Sequence, residues 1–323
     1  MKQLVDAREA FAETLLELAR ADKRVCIVLN DAMASTNSRP FLAEFPHRLF
    51  DVGIAEQNMV GVAAGLANAG LIPYVCAASC FLTGRALEQV KVDIALSRAN
   101  VKLCGFSPGF SYGSLGATHH AVEDLAWTRV LPNLKVVAPC DDVETALAVK
   151  AAHAYVGPVF IRVNRVLVPR LLPENHVFKF GQSTMVRNGT DVTLVGMGCT
   201  THRALEAASL LDGVGINSRV LNMSTVSPLD VEAIVQAARD TGRIVCVEDH
   251  QVEGGLFSAV AGAVVRNAPV PMMSIGVPGV FAPVGDVEDL MREFGLTPEL
   301  IAARVRTWVM GAQVRAGSKE IHA

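Results

Sequence analysis

Asp51-Val52-Gly53-Ile54-Ala55-Glu56-Gln57-Asn58 leads into an uncharged run from Met59 to Leu71, and the reading of this stretch decides the fold. Glu56 stands at the mouth of a helix, Met59 to Ala67, that has no other charge. Gly61 and Gly65 are four residues apart and share one helical face, which predicts close packing on that face. A carboxylate in a first turn is favoured by the helix dipole and needs no further role. A carboxyl turned to the apolar side has its pKa raised by burial unless a partner compensates. Working outward, Met59 to Leu82 is uncharged and long enough to cross a bilayer. Asn68, Gly70 and Pro73 interrupt it, which predicts a buried helix followed by a buried strand and no membrane span.

The same helix-then-strand order recurs on both sides. The periodicity predicts a helix over 6–21 and a buried strand over 25–29, then a helix over 56–69 and a strand over 72–77. A helix over 84–97, strands over 101–105 and 134–138, a helix over 142–154 and a strand over 159–163 follow. Pro169, Pro173 and a short polar run mark a connector, after which the alternation resumes at Asp191-Val-Thr-Leu-Val195 and ends in a helix over 297–309. The expectation is an α/β protein of two domains, each a mostly parallel sheet with helices on both faces: 1–168, a linker over 169–189, and 190–323. Ligands in such sheets bind beyond the carboxyl ends of the strands.

Composition bounds the function. The 323 residues are 51% apolar with a formal charge of −3, which suits about two domains with substantial cores. Lysine and arginine total 29 against 32 acids, without a basic run, so a nucleic-acid surface is not expected. Seven scattered cysteines without Cys-x-x-Cys spacing read as reduced core thiols. With an N-terminus lacking an apolar targeting region, they point to a cytoplasmic location. Gly196-Met-Gly198 resembles a dinucleotide loop only superficially, since the third glycine is absent.

Asp51-Val-Gly-Ile-Ala-Glu56-Gln57 resembles the glutamate segment of thiamine-diphosphate enzymes, specifically the pyrimidine-binding domain of the transketolase family. The resemblance implies that Glu56 hydrogen-bonds the aminopyrimidine ring nitrogen and, with a raised pKa in a dry pocket, shuttles the proton that activates the cofactor. Phe81, in Phe81-Leu-Thr-Gly-Arg85, falls where relatives pack an aromatic on the pyrimidine, although an aromatic at a strand end is usually core. Gly113-Ser-Leu-Gly116-Ala-Thr-His119 resembles the family's Gly-x-x-Gly-x-Thr-His segment, whose histidine reaches the reacting carbonyl and hydroxyl groups; a side chain titrating near neutrality suits that task. The adjacent pair His119-His120 also suggests metal, but no further spacing completes a site, and no metal ligand is assigned to this chain.

Arg165, in Arg162-Val-Asn-Arg165, matches the family's sugar-phosphate arginine, and Arg8 and Thr36 fall where relatives hold the distal phosphate. Arg85 reads either as a substrate residue or as a surface salt bridge. Two departures fall in the substrate half: Ser114 and Leu115 occupy places where relatives carry acids, and Ser107 replaces a phosphate-binding histidine. They imply a substrate altered at a hydroxyl or at its anionic end.

The resemblance covers only the second half of a full-length transketolase. Gly285-Asp286 is followed by Val287, so the diphosphate signature is missing, and thiamine diphosphate and Mg2+ require ligands from elsewhere. The implied function is the C-terminal subunit of a split transketolase that moves a two-carbon ketol unit from a ketose phosphate to an aldehyde or ketone. The partner would be an N-terminal, diphosphate-binding subunit, in a heterotetramer of two copies of each chain. Relatives specialised for apulose 4-phosphate make an unusual sugar phosphate attractive. The alternatives are the beta subunit of a 2-oxo acid dehydrogenase, deoxyxylulose-phosphate synthase, normally one full-length chain, and a non-catalytic assembly module.

Overall fold

Buried, mostly apolar runs of five to seven residues form the strands that the site stands on. In the computed structural model, which describes residues 4–320 and the side chains of 4–311, the strands are β1 (Leu4–Val5), β2 (Val25–Leu29), β3 (Leu49–Asp51), β4 (Ile72–Ala78), β5 (Lys102–Phe106), β6 (Lys135–Val137), β7 (Val159–Val163) and β8 (Val168–Pro169). There follow β9 (Thr184–Arg187), β10 (Val192–Gly196), β11 (Ser218–Asn222), β12 (Thr225–Ser227), β13 (Ile244–Gln251) and β14 (Met272–Val277). The first sheet has the order β12-β6-β7-β5-β4-β2-β3, and the second β14-β13-β10-β11-β9. Within these two sheets every pairing is parallel except those of the edge strands β12 and β9.

Every residue of β2, β4, β5 and β7 is buried, as a sheet covered on both faces requires. The helices are α1 (Ala7–Ala21), α2 (Arg39–Glu44), α3 (Glu56–Asn68), α4 (Ser79–Gly84), α5 (Leu87–Gln89) with a π-helical continuation over Val90–Leu96, α6 (Asp124–Arg129), α7 (Asp142–Ala154), α8 (Thr200–Asp212), α9 (Val231–Thr241), α10 (Leu256–Asn267), α11 (Val287–Glu293) and α12 (Pro298–Glu320). Alternate strand residues serve opposite faces. Ile27, Leu29 and Tyr74 meet Phe11 and Leu15 of α1 and Val149 of α7, whereas Val28, Val75 and Leu103 meet Met59 and Ala63 of α3 and Ile94. The second of these clusters runs on into the second domain through Val195, Leu221 and Val260, so the two domains share one core.

The uncharged run from Met59 to Leu82 is indeed a buried-face helix, α3, and a fully buried strand, β4. Three features depart from the sequence expectation. The helix expected over 84–97 is preceded by α4, which leaves β4 without a loop and sets Phe81 on a helical turn. Within the segment read as a connector, Thr184–Arg187 adds an edge strand to the second sheet. Thr225–Ser227, from the second domain, pairs with β6 of the first. Helix-capping aspartates pin the connector at both ends. Asp141, the cap of α7, accepts from Leu171 and Leu172 N–H, and Asp230, the cap of α9, accepts from Ser183 N–H at 2.7 Å. Among the described residues no helix is long and apolar enough to cross a membrane, and all seven cysteines are free.

Candidate active site

The carboxyl ends of β2, β4, β5 and β7 bring the candidate residues together. The Asp51 carboxylate accepts from Asp31 and Gly53 N–H (2.9 and 3.0 Å), and Gly53, at φ 72°, turns the chain into α3. Ala55 offers the helix no side-chain cap, so Glu56 itself meets the open N–H groups of the first turn. Its residue exposure is 1%. One carboxylate oxygen accepts from Asn30 Nδ2 at 2.7 Å, the other from Arg85 Nη1 at 2.6 Å.

This corrects the expected raised pKa. Burial alone would push the Glu56 carboxyl up, but the Arg85 guanidinium, the backbone at the helix start and Asn30 together outweigh it and hold the group below its usual value. Glu56 is therefore a carboxylate at neutral pH. Arg85 is the compensating partner; with 46% of its side chain exposed, it lies over the Phe81 ring at 4.5 Å, and its guanidinium serves Glu56.

A row of rings continues from there. Phe81 meets His119 edge-on at 5.1 Å, His119 meets Tyr112 at 6.0 Å, and Arg165 covers the Tyr112 ring at 5.2 Å. Thr118 Oγ1 lies 2.9 Å from His119 Nδ1 and orients the imidazole. His120 points away, with Nε2 bonded to the Gly113 carbonyl. The short antiparallel pair β1–β8, with Leu4 opposite Pro169 and Val5 opposite Val168, carries Arg8 and Arg165 to the same end. Arg8 is not a free cation there: Asp6 takes its Nε at 3.1 Å and its Nη2 at 2.6 Å.

Thr36 has a different occupation from the one expected. Its hydroxyl is 2.8 Å from both the Ala32 carbonyl and Ser38 Oγ, it is buried, and it closes its own turn. Ser107 sits just past β5 at φ 56°, a left-handed conformation costly for a residue with a Cβ, and its buried hydroxyl has no partner. Asn164, just past the neighbouring strand β7, has an unpartnered buried Nδ2. Leu115 is exposed at the loop tip.

Sequence reasoning missed Asn30, Tyr112 and Asp6. Asn30 had a usable signal, as the first polar residue after a buried strand whose carboxyl end borders the site. The residues present fit an aminopyrimidine. The Glu56 carboxylate and the unpartnered Asn30 Oδ1 offer acceptors to a protonated ring nitrogen and an amino group, and Arg85, bonded to Glu56, links them to the Phe81 ring. Among the described residues no group of three or more His, Cys, Asp or Glu is arranged to hold a metal ion. The close packing expected on the face of Gly61 and Gly65 is not made within this chain: both are exposed, and a Cβ on either would meet nothing within 4 Å among the described residues.

Comparison with known proteins agrees with this geometry. Residues 3–170 match the family model for the transketolase pyrimidine-binding domain, and residues 181–301 that for the transketolase C-terminal domain. An apulose-4-phosphate transketolase subunit of Phocaeicola vulgatus is 43% identical over 92% of this chain and 95% of its own. The 6-deoxy-6-sulfo-D-fructose transketolase subunit of a Clostridium species is 39% identical over 91% of each. A solved structure described as a split gene transketolase, an inactive beta4 tetramer, superposes with a TM-score of 0.86 at 38% identity, covering 95% of this chain and 98% of that one. The chain belongs to the transketolase family, whose cofactor is thiamine diphosphate, and carries the pyrimidine-binding and C-terminal domains of that family.

Proposed function

We propose that this chain is the C-terminal subunit of a two-chain, thiamine-diphosphate-dependent transketolase that transfers a two-carbon ketol unit from a ketose phosphate to an aldehyde or ketone. The observation that carries the reading is Glu56: a buried carboxylate at a helix start, ionised by Arg85, beside an unpartnered Asn30 carbonyl and close to Phe81. When bound, thiamine diphosphate supplies the nucleophilic carbon and the electron sink that ketol transfer needs. Glu56 holds the proton at the pyrimidine nitrogen, and Asn30 fixes the amino group. Phe81 packs on the ring and keeps water from it. His119, oriented by Thr118, donates a proton to the substrate's developing alkoxide and takes it back. Arg165 receives the anionic end, and Arg8, paired with Asp6, adds only a weakened field there.

Relatives of nearly equal length are named as subunits, which supports a separate partner chain supplying the diphosphate and Mg2+ ligands. The open Gly61/Gly65 face supports close packing of a second chain's helix on α3, in a complex with two copies of each subunit. The neutral Ser107 in place of a histidine and the neutralised Arg8 support an unusual sugar substrate, as the names of both relatives suggest for those proteins.

The test is co-expression with a candidate diphosphate-binding subunit, then thiamine-diphosphate titration of the complex and of this chain alone. Binding by the complex only, with ketol transfer from a ketose phosphate, is the expected result. Tight, metal-dependent binding by the isolated chain would overturn the two-chain arrangement.

A further inference from the structure

Arg162 lies within β7, 3% exposed, and each nitrogen of its guanidinium donates a hydrogen bond. Nε donates to Asp124 Oδ2 at 2.9 Å, Nη1 to Asp249 Oδ1 at 3.0 Å and Nη2 to the Ala121 carbonyl at 3.2 Å. Each contact leads to a different part of the molecule. Asp124 Oδ2 also accepts the Ser79 hydroxyl at 2.6 Å, and Ser79 is the first residue of α4, the turn that carries Phe81. The Ala121 carbonyl accepts from Gly109 N–H as well, and Ala121 N–H donates back to Gly109, so this pair is the neck of the loop that carries Tyr112 and His119. Asp249 belongs to β13 of the C-terminal domain. Its Oδ2 lies against Gly109 so closely that a Cβ there would stand 2.0 Å away, and it accepts from Cys199 Sγ at 3.4 Å.

We propose that Arg162, Asp124 and Asp249 form a positioning centre that sets the Phe81 turn and the His119 loop against each other, making the C-terminal domain part of the active-site geometry. The three charged groups touch neither cofactor nor substrate; they act through Ser79 and Ala121. A buried ion triad gives no clear gain in stability over well-packed apolar side chains, because desolvation offsets the attraction. What it gives is a fixed fork geometry, and the fork of Arg162 joins the two pieces of backbone whose rings meet at 5.1 Å. The inference rests on the reading of Phe81 and His119 as site residues.

The test is a pair of double-mutant cycles in the assembled two-chain enzyme, measuring kcat, KM and cofactor affinity. Ser79→Ala and Asp249→Asn are each made in the wild-type and in the His119→Gln background. Misplacement of a reacting group by about 1 Å costs on the order of 100-fold. The expected result is a fall in kcat of about 10- to 100-fold in the wild-type background, with little further fall when His119 is already replaced and any loss of cofactor affinity smaller than the loss of kcat. Equal falls in both backgrounds, or none in either, would overturn the proposal. Should Asp249→Asn fail to assemble, Ser79→Ala decides, since it removes one hydroxyl and leaves the ion triad intact. Full activity of His119→Gln alone would refute the role of His119 itself; the cycles are then read against Phe81→Leu, which keeps the two failures apart.

Discussion

Replacing Glu56 with glutamine changes one atom and one charge at the centre of the site, and the local geometry says how much the fold should notice. Both carboxylate oxygens accept hydrogen bonds, so an amide keeps one and turns its NH2 toward the other donor. If the amide oxygen stays on Arg85, the NH2 faces Asn30, whose Oδ1 has no partner. Turning the Asn30 amide over presents that oxygen and remakes the pair. What is lost is one charge-assisted bond to a guanidinium with 46% of its side chain exposed, a cost of about 1 to 2 kcal/mol after solvent screening. The chemistry has no such remedy. An amide cannot take up the proton, and losing a positioned acid–base group costs about 100- to 10,000-fold in kcat. The assay is ketol transfer by the assembled complex, with thermal unfolding and cofactor affinity measured on the same preparation. A variant that melts with the wild type and retains more than about a tenth of kcat would refute the proton role of Glu56.

Three further outcomes are expected. Arg85→Met removes the cation that holds the Glu56 carboxyl below its usual value, so the acidic limb of the kcat–pH profile should move to higher pH; an unmoved limb would dissociate Arg85 from Glu56. His250 is a neutral core imidazole, accepting Ala126 N–H at Nε2 and donating from Nδ1 to the Gln251 carbonyl, and burial lowers it from 6.5 to about 4. A base whose pKa is depressed in the folded state loses stability as pH falls from about 6.5 toward 4, here by up to about 3 kcal/mol; buried Glu248, 3.8 Å away and raised to about 8, acts in the opposite sense, so the test is a difference: between pH 7 and 4 the urea midpoint of the wild type should fall relative to that of His250→Gln. Lys102 is buried and donates to Asn100 Oδ1, Tyr155 O and Gly157 O at 2.7, 2.7 and 2.8 Å. Asn100 Oδ1 keeps the Gly157 N–H, so Lys102→Met strands the Tyr155 and Gly157 carbonyls and should cost about 2 kcal/mol or more in urea unfolding, whereas a loss under about 1 kcal/mol would mean that water replaces the ammonium.

How much the sequence revealed depended on whether a signal was local. Apolar runs such as Val25–Leu29 and the period of Asp142–Ala154 report their own burial, so the strands and long helices are legible. Thr225–Ser227 has no such signal. It is a strand because β6 offers an unpaired edge, a fact that lies far away in the chain. The site divides in the same way. Glu56, Phe81 and His119 stand in motifs that the sequence displays, and the structure brings them near one another through the Arg85 and ring contacts. Asn30 stands at a strand end that marks it as a site candidate, but its bond to Glu56, 26 residues away, does not show in the spacing; Asp6 is only two residues from Arg8, and what the sequence leaves open is that its carboxylate takes the guanidinium as well as capping α1. The charge state of Glu56 escapes the sequence for the same reason: burial is visible in the pattern, but the compensating cation 29 residues away is not.

The strand lent by the second domain to the first also governs when the molecule can be completed. During synthesis β6 leaves the ribosome about 90 residues ahead of β12, an interval on the order of ten seconds at ordinary elongation rates. Until then the first sheet ends in an open strand edge, the kind of surface on which nascent chains pair wrongly with one another. A fragment cut anywhere in the connector would keep that edge open permanently. For cell-free expression the practical unit is therefore the whole two-domain chain, and a translational pause placed between β8 and β12 should raise the aggregated fraction rather than help folding.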